Sequence, residues 1–511
     1  MLTPKMRTQV LSVLALLVTL GVAQGLAANP GRGELRTSRY LDSIRNDPSM
    51  LLVFTRNVPK GADLHNHLSG AVYAESYVQY AAEDGDCVDE TTMTLLVAPC
   101  DPSAKRPAAS EAFADSVLYS RLLDAFSMRQ FIPGAESGHD HFFATFGKFS
   151  LATEGHTGAM LAEVADRAAA DHLIYLELMF NPDEGLASKL GGKLGWDPDF
   201  GQFRSKLLAG GMAQVVAIGS KNLDNAEARM REDLHCGQPD AHPGCAVTVR
   251  YLYQVSRGLP PQNVFAQIVA GFEMAKRDPR VVGLNLVMPE DGYISMRDFT
   301  LHMKMLDYLH RIDPQVHITL HAGEITPDLV PPEGLRFHIR QSVELGHAER
   351  IGHGVDVMHE DRPIQLLKEM AQRHVLVEIC LTSNAVILGV RGKQHPFPVY
   401  LHYGVPVALA TDDEGVSRSD MNREYLRAIE TYNLSYLQLK KMIRDSLDHA
   451  FLPGASLWRG PEDFVPLAAC SRDQPGSERP ATRCNAFLAS SQRARLEWKE
   501  EGELNRFERQ Y

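Results

Sequence analysis

Lys60-Gly61-Ala62-Asp63-Leu64-His65-Asn66-His67-Leu68 is the stretch whose reading decides the fold. It is a short run that closes on two histidines one residue apart. On a strand, residues i and i+2 face the same side, so His65 and His67 present both rings to one face while Asn66 turns away. Leu68-Ser69-Gly70 then reads as a loop. The same design recurs downstream in His317-Ile318-Thr319-Leu320-His321-Ala322-Gly323-Glu324, in Arg350-Ile351-Gly352-His353-Gly354 and in Val407-Ala408-Leu409-Ala410-Thr411-Asp412-Asp413. Each places a His or a carboxylate at or just past the end of an apolar run. Residues this far apart act together only where strand ends gather them, as at the C-terminal face of a barrel.

Outward from these pieces, short apolar runs alternate with longer helical stretches, which is the βα pattern of a parallel sheet. Eight strands are predicted, at 62–67, 173–180, 247–253, 281–287, 317–321, 350–353, 375–380 and 407–411. They predict an α/β fold, a (β/α)8 TIM barrel with inserted helices and disulfide-closed loops. The competing architecture is an open doubly wound sheet. The first strand lacks the Gly-rich phosphate loop of a nucleotide-cofactor version.

The barrel unit spans 56–457, after an N-terminal segment at 29–55. Helices are expected around 113–131 and 141–149. They bring Phe126, Phe131, Phe142, Phe143, Phe146 and Phe149 to the barrel mouth, mostly as core, with a few lining an apolar pocket. Insertions are expected at about 84–110 and 222–245, the latter as a surface loop. A tail at 458–511 holds a cysteine pair and a charged helix from about 491 to 509.

The chain has 511 residues, 44% of them hydrophobic and 23% charged, with a net charge of −12. That balance speaks against nucleic-acid or anionic-membrane partners. Lys5 and Arg7 precede an apolar stretch from Val10 to Val22 and then Gly25-Leu26-Ala27-Ala28. This reads as a signal peptide over 1–28, hence a periplasmic or secreted protein with no membrane attachment after cleavage. A membrane anchor is the alternative, but the run falls short of the roughly 20 residues a spanning helix needs. Six of seven cysteines fall into close pairs, Cys87 with Cys100, Cys236 with Cys245 and Cys470 with Cys484. In an oxidising compartment such pairs close local disulfides, each worth about 3 kcal/mol for a loop near 15 residues. Cys380 ends an apolar run and reads as a buried free thiol.

His321 falls where the fifth strand should end, and Gly323 lets the backbone turn tightly. Glu324 then projects into the mouth beside His321. A carboxylate at a helix N-terminus is the alternative for Glu324. The glycines flanking His353 allow a ligand to approach closely; a hydrogen-bonded core histidine is the alternative. Asp412 and Asp413 are adjacent carboxylates ending an apolar strand, costly unless paired or metal-bound. Their side chains diverge, so they serve different roles. Three imidazoles and a carboxylate suit one Zn2+ per chain, with a position left open for water. The fourth strand has no Lys to bridge a second metal.

These motifs resemble the adenosine deaminase family of the amidohydrolase superfamily. The matching pieces run in the family's order: Lys60 to Leu68, His321 to Glu324, Arg350 to Gly354, Leu381-Thr382-Ser383-Asn384, His395-Pro396, and Thr411-Asp412-Asp413-Glu414-Gly415-Val416. The resemblance covers roughly residues 56 to 453. It implies a TIM barrel in which His65, His67, His321 and Asp412 hold the metal. It implies that Glu324 protonates the purine N1, that His353 orients the attacking water and takes its proton, that Asp412 also holds that water, and that Asp413 contacts N7. Substrate contacts are also implied at Ser69, Met288 and Gly323. The family's usual carboxylate near the ribose 5′-hydroxyl is replaced here by Ser69, and its Gly near purine N3 falls at Met288, before Pro289. The expected reaction is hydrolytic deamination of adenosine or 2′-deoxyadenosine to inosine or 2′-deoxyinosine plus ammonia, so the partners are a small purine nucleoside and water. The Ser69 departure keeps another 6-aminopurine open: adenine, N6- or 5′-modified adenosine, or AMP. The insertions keep open an extracellular nucleoside-binding signalling protein.

Overall fold

A computed structural model describes residues 31–461 and 463–511; the expected signal peptide falls outside the described residues. Eight parallel strands form one sheet in the order β1 (Gly61–His67), β4 (Leu173–Phe180), β5 (Thr248–Ser256), β6 (Val281–Val287), β7 (His317–Ala322), β8 (Arg350–His353), β9 (Leu376–Ile379) and β10 (Val407–Leu409). Two short strands, β2 (Cys87–Asp89) and β3 (Thr94–Leu96), make a separate hairpin in the first insertion. The barrel closes through the site itself. The Asp412 N–H donates to the His65 carbonyl at 2.9 Å, and the His67 N–H donates to the Asp412 carbonyl at 3.4 Å. All eight predicted strands are present. β10 stops at Leu409, and the Thr411 hydroxyl donates to Asp63 Oδ2 at 2.5 Å.

One expectation is corrected. The first half of 222–245 is not a loop but part of a helix, Ala213–Asp233. Val215, Val216, Gly219, Leu223 and Ala226 form its buried stripe, at the three-to-four spacing of an amphipathic helix. Its polar residues are the solvated face of that helix. The loop begins after Asp233 and is closed by Cys236–Cys245.

Cys87–Cys100 and Cys470–Cys484 are bonded as well, and Cys380 is a buried free thiol. The tail helix Gln492–Glu508 buries Leu496, Leu504 and Phe507 against the barrel unit and Trp498 within the tail's own cluster around Cys470 and Cys484. Its Glu501 accepts two hydrogen bonds from Arg444, and its Glu508 accepts one from Lys440. Among the described residues, no helix is long and apolar enough to cross a membrane.

A charged network fills the barrel interior below the site. Arg350 is fully buried and donates to Glu378 Oε1 and to Glu177 Oε2, both at 2.6 Å. Glu177 also accepts from Tyr175 at 2.9 Å and from the Phe451 N–H at 2.7 Å. Breaking one partner of a buried ion pair leaves an uncompensated charge in a low-dielectric core, at about 3–5 kcal/mol. Arg350→Met is therefore expected to lower unfolding free energy by that amount in urea denaturation. An unchanged midpoint would contradict this account of the network.

Candidate metal centre

Four side chains from β1, β7 and the segment after β10 converge at the C-terminal strand ends. One ligand atom from each of His65, His67, His321 and Asp412 lies within 4.8 Å of the others. His67 Nε2 is 3.1 Å from His321 Nε2 and 3.3 Å from Asp412 Oδ1, and His65 Nε2 is 3.5 Å from the same oxygen. Their outer nitrogens are already committed. His65 Nδ1 donates to Glu378 Oε2 at 2.6 Å, His321 Nδ1 to Asn285 Oδ1 at 2.9 Å, and His67 Nδ1 to Gln254 Oε1 at 3.4 Å. Each ring thus turns its Nε2 lone pair inward, the arrangement that fixes metal-ligating histidines. His65 Nε2 and Asp412 Oδ1 are buried and have no hydrogen-bond partner. Lone pairs aimed at one another and an orphaned carboxylate oxygen fit a shared cation.

A rival foursome, His65, His353, Cys380 and Asp412, also lies close. Its His353 is unsuited. The Phe397 N–H donates to His395 Nδ1 at 3.1 Å, so the neutral His395 carries its hydrogen on Nε2 and donates to Asn384 Oδ1 at 3.0 Å. The Asn384 amide nitrogen then donates to His353 Nδ1 at 3.0 Å. A backbone N–H can only donate, so this chain of bonds leaves His353 with its hydrogen on Nε2. That nitrogen has no lone pair for a metal; it faces Asp412 Oδ2 at 3.9 Å as a donor. The sequence-level reading had His353 accept a proton from water; the resting tautomer instead offers one. Burial pushes its pKa down to about 3, against the pull of Asp412. Burial also holds the Cys380 thiol protonated.

Local backbone is strained where the site is built. His353 has φ +67° and Asp412 φ +59°, a left-handed conformation uncommon outside glycine. Such strain persists where the surroundings over-determine it. The flanking glycines serve side chains of the protein rather than a ligand. A Cβ on Gly352 would lie 2.5 Å from His65 Cε1, and Gly354 makes room for Tyr400, whose hydroxyl donates to the Gly354 carbonyl at 2.6 Å. Gly70 clears space for Asp413. Gly323 turns at φ +80°. Met288 also adopts φ +84°, where the family resemblance placed a glycine.

Glu290 and Arg257, which the sequence reading did not single out, hold that turn. Glu290 accepts from the Gly323 N–H at 3.0 Å and the Glu324 N–H at 2.8 Å, and pairs with His338. Arg257 donates to the His321 carbonyl at 3.0 Å and the Met288 carbonyl at 3.1 Å. Against its burial, His338, Arg257 and the Gly323 N–H hold Glu290 down to about 2. A carboxylate just past the β6 run was the available signal, the same one that marked Glu324. Ser383 and Asn384 came from a quoted motif without roles; the Ser383 hydroxyl donates to Asp412 Oδ2 at 2.6 Å.

Glu324 is buried, with its carboxyl pushed well above the usual range by desolvation and by the charges of Asp412 and Glu290. Asp413 is pushed up by burial and by Asp412 and Glu324. Asp412 goes the other way. Burial raises it, but His65 beside it and the other surrounding imidazoles outweigh that and hold it well below the usual range. A cavity of about 430 Å³ opens above this group. Ser69, Met288, Glu324 and Asp413 line it, and Phe142, Phe143 and Phe146 form an apolar wall.

His65 is pushed down by burial, but the Asp412 carboxylate beside it and its bond to Glu378 outweigh this and carry it to about 10. Below that pH the metal-free cluster holds a proton that a cation must displace, so metal binding at pH 7 is expected to release about one proton. Calorimetric titration in buffers of different ionisation enthalpy reads this directly; a buffer-independent enthalpy would contradict it. Glu378→Gln removes the charge behind His65 and is expected to weaken metal affinity about 10–100-fold in a competitive chelator titration. Unchanged affinity would show that Glu378 does not tune the ligand.

Comparison with known proteins places the chain in a family and a fold. The family model described as "Adenosine deaminase" matches residues 137–457, more than half of the chain. His65 and His67 lie before the matched span, so their assignment rests on where the fold puts them. The adenosine deaminase of Pectobacterium atrosepticum is 34% identical over 180 residues, covering 35% of this chain and 48% of that protein. The adenosine deaminase of Klebsiella pneumoniae is 29% identical over 284 residues, covering 50% of this chain and 80% of that one. The crystal structure of Arabidopsis N6-mAMP deaminase shares the fold, with a TM-score of 0.50 at 20% identity, over 78% of this chain and 96% of that chain. The matched span, the barrel and the residues gathered at its strand ends together show that the chain belongs to the adenosine deaminase family.

Proposed function

We propose that this protein is an exported zinc-dependent aminohydrolase. It removes the 6-amino group of adenosine or 2′-deoxyadenosine and yields inosine or 2′-deoxyinosine plus ammonia. The observation that carries the reading is a buried carboxyl, Glu324, lining the same cavity as His67, His321 and Asp412. A divalent ion held by His65, His67, His321 and Asp412 supplies Lewis-acid chemistry and lowers the pKa of water toward about 7.

The chain's own residues do the rest. Glu324, kept protonated by burial and neighbouring carboxylates, donates to a purine ring nitrogen and draws electrons from the adjacent C6. Asp413, on the same cavity wall, offers a second hydrogen bond to the purine. His353 presents Nε2–H and Asp412 a carboxylate oxygen, so the two flank the attacking water as donor and acceptor. The water oxygen bonds to C6 as the Asp412 carboxylate takes one of its protons and passes it to the amino nitrogen; the bond from C6 to that nitrogen breaks and ammonia leaves, while the remaining hydroxyl proton returns to Glu324, whose own proton stays on the ring nitrogen. Phe142, Phe143 and Phe146 exclude solvent from one side of the cavity, which strengthens every electrostatic interaction inside. Three bonded cysteine pairs support an oxidising compartment.

Glu324→Gln keeps the shape but loses the acidic proton. It is expected to lower kcat about 10²–10⁴-fold, with the metal retained, in an ultraviolet assay of adenosine loss. A variant with full turnover would remove Glu324 from the reaction. Prolonged chelation is expected to abolish turnover and zinc to restore it; activity untouched by verified metal removal would overturn the reading.

A further inference from the structure

The cavity above the metal cluster does not end at its own wall. Ser69 and Gln254 line it, and both also line a second cavity of about 650 Å³. That second cavity has an apolar floor of Leu68, Met160 and Met179, and its polar lining is Thr153, Glu154, Thr157, Asn181 and Glu184. Among the described residues, no Lys, Arg or His lines it. The side-chain amide oxygen of Asn181, Oδ1, is buried without a hydrogen-bond partner. The chamber is therefore rich in acceptors and carries two carboxylates with no cation beside them on its wall.

The reacting end of a substrate is fixed at the other side of the junction, where His67, His321, Glu324, Asp412 and Asp413 line the first cavity. In a purine nucleoside with C6 held there, the ribose lies away from the metal cluster, and its exocyclic 5′ carbon is where a chain is carried. We propose that the chamber beyond Ser69 and Gln254 is a subsite for the 5′ substituent, and that it selects substituents bearing hydrogen-bond donors or positive charge over phosphate. This rests on the deaminase reading and narrows its substrate class. A short serine at the junction leaves the passage open, and Glu154 and Glu184 repel an anion that enters it. Like charges brought together in this way suppress the wrong ligand.

The test compares kcat/KM of the purified mature protein for adenosine, 5′-amino-5′-deoxyadenosine and AMP at low and high salt. The cationic analogue is expected to exceed AMP by at least about tenfold, with the gap shrinking as salt screens the exposed carboxylates. In the double variant Glu154→Lys with Glu184→Lys, the order is expected to narrow or invert. AMP turned over as well as the amino analogue, or an order unchanged by the charge reversal, would overturn the subsite while leaving the deaminase reading standing. Absence of turnover with all three compounds would overturn the deaminase reading and the subsite with it.

Discussion

Three imidazole nitrogens and one carboxylate oxygen face a common point, two of them, His65 Nε2 and Asp412 Oδ1, without a hydrogen-bond partner, and the rest of the molecule is arranged around that fact. His67 Nε2 and His321 Nε2 stand 3.1 Å apart, which two bare lone pairs do not tolerate without a cation or a proton between them. The outer nitrogens are bound by Glu378, Asn285 and Gln254, so the rings cannot turn to relieve the contact. Arg350 in turn holds Glu378, which links the metal cluster to the charged interior of the barrel. The backbone bonds between His65, His67 and Asp412 that close the barrel are made by the ligands themselves. Fold and site are one construction here.

The electrostatics then sort three neighbouring carboxyl groups into different tasks. Asp412 stays ionised because imidazoles surround it. Glu324 and Asp413 stay protonated because they are buried near that charge. A bound divalent ion adds its own field and favours the ionised forms of nearby carboxyls, so Glu324 relies on desolvation and on Glu290 to keep its proton. The backbone strain at His353 and Asp412 is held by the same bonds. Asn384 fixes the His353 ring, Ser383 fixes the Asp412 carboxylate, and neither residue can relax to an ordinary conformation without losing them.

The eight strands were legible because buried parallel strands are near-continuous apolar runs, and four of them ended at or just before a His or a carboxylate. The four side chains that converge there were legible for the same reason. The helix Ala213–Asp233 was not read in full, because its polar face hides a narrow apolar stripe. Glu290, Arg257 and the His395-Asn384-His353 chain could not be assigned roles from sequence. Their partners lie from 11 to 64 residues away along the chain, and only the folded structure says which donors meet which acceptors. The tautomer of His353 belongs to this group, since it is set by a backbone N–H at Phe397. Ser69 was visible as a departure, but the chamber behind it is made by segments around Glu154 and Asn181 that no local pattern connects to it.

Anomalous diffraction from crystals of the mature protein, collected on both sides of the zinc absorption edge, tests the central claim most directly. The account predicts one peak per chain at about 2.0–2.2 Å from an Nε2 of His65, His67 and His321 and from an Asp412 oxygen. A metal-replete protein whose ion lies elsewhere, or whose four side chains stay as they are with no peak between them, would contradict it.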